Sequence, residues 1–153
     1  MSGLASFISG APTSVGFTLA DGADLTGGGE GQRIVQLKSA VLPRSERAFY
    51  RFFDTSVFAR PALGTLGSAP RTSFRGLGMN DGGLSVKRMF RIKERAAIEF
   101  RMDSYNFFNH TQFSGVAATA RFEASGVQIN QELGQITSAR PPRRMQASLR
   151  FSF

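Results

Sequence analysis

From Leu84 onward the chain alternates. Leu84, Val86, Phe90 and Ile92 share one parity, interrupted by Arg88, while Ser85, Lys87 and Arg91 take the other. A second run follows, with Ile98, Phe100 and Met102 on one side and Glu99, Arg101, Asp103 and Tyr105 on the opposite side. The chain ends in a third run. Met145, Ala147, Leu149, Phe151 and Phe153 are apolar, and Gln146, Ser148, Arg150 and Ser152 between them are polar. A period of two is the pleat of a strand with one apolar face, and no helix can satisfy it. Residues 91–94, Arg91-Ile92-Lys93-Glu94, are short enough for a tight hairpin between the first two runs.

The rest of the chain is punctuated. Ser2 to Ser9 and Ser14 to Ala20 read as short strands around Gly10-Ala11-Pro12, and Arg33 to Leu37 as a short extended piece. Residues 22–31 form a Gly/Asp loop containing Gly27-Gly28-Gly29. Residues 43–82 carry Pro43, Pro61, Gly64, Gly67, Pro70, Gly76, Gly78, Gly82 and Gly83 and read as irregular, with an amphipathic turn near Arg47 to Phe53. A second long loop covers about residues 107–143. A 40-residue irregular stretch counts against an ordinary compact domain. Strands of about 10 residues, joined by a tight turn at one end and long loops at the other, fit an antiparallel transmembrane β-barrel with apolar side chains outward and polar ones inward. In water the same apolar faces would need a second sheet or a helix to cover them.

Composition narrows the alternatives. Hydrophobic residues make up 41% of the 153, which argues against disorder, and the absence of cysteine excludes disulfides and thiolate metal sites. The formal charge of +8 admits nucleic acid, an anionic membrane surface or internal pairing. The bases all fall after residue 30, scattered over short segments, and Asp21, Asp24 and Glu30 precede them. The alternative reading is therefore a soluble basic β-rich protein that binds nucleic acid. No stretch has the roughly 18 apolar residues of a spanning helix. The segment from Met1 to Ala20 lacks the basic start and unbroken apolar run of a signal peptide.

Little resembles a catalytic or cofactor site. His110 is the sole histidine, so an imidazole-based metal site has no second ligand, and it reads as a loop residue. Gly27-Gly28-Gly29-Glu30-Gly31 lacks the Lys-Ser/Thr of a phosphate loop. No enzyme, cofactor or metal is expected. Glu99, Arg101 and Asp103 sit at alternate positions of one strand and share a face. They read as a lumen-side charge ladder that pairs with neighbouring strands, the rival reading being a polar pathway for a solute. Arg88, Arg91, Lys93 and Arg95 cluster at the tight turn as a membrane-edge group whose stems reach the head groups. Phe107, Phe108, Phe113 and Phe122 read as an interfacial girdle or loop packing, and the 15 Phe overall as a lipid-facing band with its rims.

Taken in order, these segments resemble the C-terminal end of TonB-dependent, Oar-like outer-membrane β-barrel receptors. Phe52-Phe53-Asp54-Thr55-Ser56-Val57-Phe58 with Pro61 is similar to the family's Trp-Phe-Asn-x-x-x-Phe segment, with Phe52 and Asp54 in place of Trp and Asn. Phe74-Arg75-Gly76-Leu77-Gly78 resembles its Arg-Gly-Pro-Gly turn, with Leu77 for Pro. Leu84-Ser85-Val86 and Phe90 to Arg95 resemble the strand and periplasmic turn that follow. Asn106, Phe108, Asn109 and His110, with Phe113, resemble an Asn-x-Phe-Asn-His-x-x-Phe motif. Gly134 to Ala139 with Pro142-Arg143 resembles the loop before the last strand. Ala147, Leu149, Phe151 and the terminal Phe153 resemble the outer-membrane assembly signal.

The resemblance implies an all-β fold: antiparallel strands forming the C-terminal part of an outer-membrane barrel, with two long irregular loops and no plug domain over residues 1–153. It implies outer-membrane lipid as surroundings, the barrel-assembly machinery as a partner of the last strand, the TonB system as a partner through an N-terminal part, and no nucleic acid. Barrels that house a plug have roughly 22 strands, and the pattern here supplies about four or five. The expectation is a truncated product or fragment. Its tight turn and C-terminus should be periplasmic, and loops 43–82 and 107–143 extracellular.

Overall fold

The structure, a computed structural model, describes residues 1–26, 32–93 and 96–153. The Gly-rich run at 27–31, the turn residues 94–95 and the Lys93 side chain lie outside the described residues. The strands are β1 (Ser2–Ile8), β2 (Pro12–Thr13), β3 (Gly16–Leu19), β4 (Val35–Gln36), β5 (Phe58–Ala59), β6 (Phe74–Arg75), β7 (Met79–Lys93), β8 (Ala96–Tyr105), β9 (Phe113–Val116), β10 (Thr119–Phe122), β11 (Ile136–Ala139) and β12 (Arg144–Ser152). A 3-10 turn, Arg44–Glu46, stands near the expected amphipathic turn. One sheet has four strands in the order β1-β7-β8-β12. Each neighbouring pair in it is antiparallel. The other strands form two-stranded pairs, of which β3 with β10 is parallel. The chain divides into two compact units: residues 1–9, 78–113 and 139–153 hold the four-stranded sheet, and residues 10–77 and 114–138 hold the loops.

The sheet unit is built from the alternations. Residues opposite one another in an antiparallel pair point to the same face. Val86 faces Met102, Phe90 faces Ile98, and on the other side of β8 Leu149 faces Phe100 and Phe151 faces Ile98. These rows merge into one apolar face of Leu84, Val86, Phe90, Ile98, Phe100, Met102, Met145, Ala147, Leu149 and Phe151, with Arg88 as its charged member. β1 adds Phe7 to that face but places Leu4 and Ile8 on the other. Among the described residues of the unit, none covers the apolar face. Every residue of β12 is exposed, Leu149 at 72%. The buried residues among those described in this unit are polar, Ser104 and Gln112.

β7 has 15 residues and β8 has 10, so β7 outruns its neighbour beyond Leu84, which pairs with Ser104. A strand of 9–11 residues crosses the hydrocarbon, so the excess projects past it. Its backbone is satisfied by the segment after β8. The Phe107 amide donates to the Gly82 carbonyl at 2.8 Å. The buried Gln112 side chain then acts as a substitute peptide: its Oε1 accepts from the Asn80 amide at 3.0 Å and its Nε2 donates to the Asn80 carbonyl. The Phe108 ring lies over Gly82, where any Cβ would meet it at 3.1 Å.

The loop unit has what the sheet lacks. All fifteen buried apolar residues among those described lie in it. Phe53 is 1% exposed, stacks on Phe74 with centroids 4.4 Å apart, and meets Phe58 edge-on at 5.9 Å. Phe52 packs edge-on against Phe74, with the Arg47 guanidinium 5.2 Å from its ring. Phe122, also fully buried, meets Phe17 at 6.3 Å. This corrects the assignment of phenylalanine to a lipid-facing band and its rims. Phe52, Phe53, Phe58, Phe74 and Phe122 form an interior, because two long connections together are long enough to close a core of their own. Backbone bonds between its loops seam it: the Ala69 amide reaches the Ile34 carbonyl at 2.9 Å, Leu37 reaches Val57 at 2.9 Å, and Phe52 reaches Gly134 at 2.8 Å. Gly10 sits against the backbone of Gly76 where no side chain fits.

Asp54 ties one of these turns. Its Oδ1 accepts from the Ser56 hydroxyl at 2.7 Å and the Ser56 amide at 3.1 Å. These bonds, the hydroxyl first, hold the carboxyl below its ordinary value against the opposing effect of burial, with Arg51 and Lys38 adding a smaller pull. A lowered folded-state pKa adds stability above the unfolded value and loses it as pH falls through the folded one. The loop unit should therefore loosen below about pH 4, and Asp54→Asn should remove that part of the acid dependence, as read by hydrogen exchange of residues 10–77. Phe53→Ala should destabilise the same unit by about 3–5 kcal/mol. Exchange at neutral pH should then become fast in residues 10–77 and 114–138 while residues 84–104 keep their protection; uniform loss across both would contradict separate cores.

Candidate functional site

The face of the sheet opposite the apolar one is polar. It carries Ser85, Lys87, Met89 and Arg91 from β7, Ala97, Glu99, Arg101, Asp103 and Tyr105 from β8, and Arg144, Gln146, Ser148, Arg150 and Ser152 from β12. The register places Lys87 directly opposite Arg101, and like charges opposite each other repel. The side chains resolve this by stepping sideways. Lys87 Nζ meets Glu99 Oε2 at 2.7 Å on the diagonal. Arg101 Nε turns along its own strand to Asp103, 2.8 Å from Oδ2 and 3.1 Å from Oδ1. The Ser85 hydroxyl donates to Asp103 Oδ1 at 2.6 Å. Glu99, Arg101 and Asp103 are thus joined to β7 as a paired network.

Lys87 and Ser85 belong to this network although the ladder was defined on β8 alone. Their parity in β7 marks them as polar-face residues, but only the register shows that they complete it. Counting the whole face, Lys87, Arg91, Arg101, Arg144 and Arg150 stand against Asp81, Glu99 and Asp103, an excess of positive charge along one wall.

The motif residues Asn106, Phe108, Asn109 and His110 form a closed turn directly after β8. The Asn106 side chain donates from Nδ2 to the His110 carbonyl at 3.1 Å and accepts the His110 amide on Oδ1 at 3.0 Å. The Asn109 amide donates to the Asn106 carbonyl at 2.8 Å. Asn106 and Asn109 have φ of 49° and 51°, a left-handed conformation that asparagine tolerates better than most residues. Here the asparagines shape the chain, and His110 contributes its backbone. Phe108 is exposed and pairs edge-on with Phe107 at 5.4 Å.

At the other end of the sheet, Ala147, Leu149 and Phe151 of β12 follow one another on the apolar face, and Phe153 extends past the strand with its ring 6.2 Å from that of Phe151. β12 pairs with β8 along one side. Among the described residues its other side has no strand. No group of three or more His, Asp or Glu within metal-binding reach occurs among the described residues.

The network predicts a specific compensation. Glu99→Gln leaves Lys87 facing Arg101 and should destabilise the sheet by about 1 kcal/mol. Adding Lys87→Gln should recover most of that loss in urea unfolding from lipid vesicles, and failure to recover it would show that the diagonal pair does not offset the repulsion.

The model of a known family, described as an outer membrane beta barrel domain, matches residues 1–146. No curated protein and no solved structure gives a significant match to the chain. With antiparallel strands bearing an uncovered apolar face, a paired polar face behind it, and a family match over nearly its full length, the chain belongs to the outer membrane beta barrel domain family.

Proposed function

We propose that β1, β7, β8 and β12 are a section of the wall of a TonB-dependent uptake barrel, and that their polar face lines the path of a solute. The observation that carries this reading is the polar face itself. A barrel wall with a wet interior carries charged side chains on one face, and pairing lowers the cost of those that lie against a plug or a narrow pore. The diagonal Lys87–Glu99 pair and the Ser85–Asp103–Arg101 cluster supply that pairing. The order of the motifs from Phe52 to Phe153 supports the choice of TonB-dependent, Oar-like receptors within the broader class. The smallest closed barrels need about eight strands, so further strands continue the wall on the open sides of β1 and β12. The exposed aromatic end of β12 is the feature that the barrel-assembly machinery would engage. The reading includes no catalysis, cofactor or nucleic acid.

In this reading the end of the sheet where β7 stops at Lys93 and β8 begins at Ala96 is periplasmic, and the loops 43–82 and 107–143 are extracellular. On intact cells carrying the protein, a membrane-impermeant thiol reagent at neutral pH should label Val127→Cys, at an exposed position of the loop unit, and should leave Lys93→Cys untouched; labelling only at 93 would reverse the orientation. The energy coupling has its own readout. Labelling of Arg101→Cys from outside should be faster in energised cells than in cells lacking TonB, and equal rates would remove TonB from the account.

A further inference from the structure

The sheet unit contains a cavity of about 790 Å³ on the projecting end of β7. That volume lies within the range of sites for small organic solutes. Its walls are fixed before any ligand arrives. Gln112 is held to the backbone of Asn80, the Arg140 amide donates to the Gln112 carbonyl at 2.7 Å, and the Arg143 amide reaches Asn109 Oδ1 at 3.4 Å. Met79, Pro141, Pro142 and Met145 supply apolar lining. Asp81, Arg140 and Arg144 supply charge of both signs.

The charges are not used up by one another. Asp81 Oδ1 is buried and accepts no hydrogen bond, a state that costs about 1–3 kcal/mol unless a donor arrives. Arg140 and Arg144 form no ion pair with a carboxylate among the described residues. A buried acceptor that lacks a donor and two guanidinium groups that lack an anion line the same cavity. A ligand that carries an ammonium and a carboxylate, with an apolar body between, satisfies both. We propose that this cavity binds a zwitterionic, peptide-like solute, its ammonium on Asp81 and its carboxylate on Arg140 and Arg144. The inference rests on the polar face being the solute path, and it names the chemistry of the solute.

The test uses trileucine with free termini, an N-acetylated form and a C-amidated form. Binding to the protein in detergent micelles is measured by calorimetry. Each blocked end should weaken binding at least tenfold. Asp81→Asn should remove the penalty for acetylation and keep that for amidation, and Arg140→Gln with Arg144→Gln should do the reverse. In outer-membrane preparations, where folding does not depend on the detergent, trileucine should slow maleimide labelling of Met79→Cys and the acetylated peptide should not. Binding that ignores both blocked ends, or no protection of Met79→Cys, overturns the site. Neither measurement involves TonB, so a failed cavity and a failed uptake reading give different results.

Discussion

Everything in the sheet unit depends on the pairing of backbone amides along β7 and β8. Inside hydrocarbon no water replaces a missing partner, so each unpaired N–H or C=O costs several kcal/mol. β7 and β8 have a strand on both sides. Where β7 runs on past β8, the loop returns and the Gln112 amide takes the place of a strand residue. The same requirement explains why β1 and β12 call for neighbours. It also explains why the apolar alternation can be so plain: with the backbone satisfied in the plane of the sheet, the side chains need only match the medium on each face.

The two units answer to different solvents. In the loop unit phenylalanine does what it does in any water-soluble interior, stacking Phe53 on Phe74 and burying Phe122 completely. In the sheet unit Phe7, Phe90 and Phe151 stand exposed on an uncovered face. A soluble sheet with that face would bury it against a second layer. A lipid-facing sheet has no need to, and the polar face behind it carries the paired charges instead.

The sequence revealed the sheet better than the loops. Period two in 84–92, 98–105 and 145–153 marks β7, β8 and β12 directly, because a face against lipid and a face against water demand opposite chemistry at successive residues. Ser2 to Ser9 reads as a strand and β1 occupies Ser2–Ile8, but its placement beside β7 spans a connection of some seventy residues and carries no local signal. The loops read as irregular because contacts such as Phe53 with Phe58 and Phe74, or Phe122 with Phe17, have no period: their members come from segments far apart and meet only in three dimensions. In the polar network Glu99, Arg101 and Asp103 were legible from parity, whereas the partners Lys87 and Ser85 follow from register. Asp81 and Gln112 were not legible, since their roles arise from β7 being longer than β8.

One face of this sheet meets lipid and the other meets water. Nitroxide labels placed singly at positions 98 to 103, in the protein reconstituted in lipid bilayers, test it most directly. The account predicts that collisions with dissolved oxygen peak at 98, 100 and 102 and that collisions with a water-soluble nickel chelate peak at 99, 101 and 103. A flat profile, or alternation with the opposite phase, would contradict it.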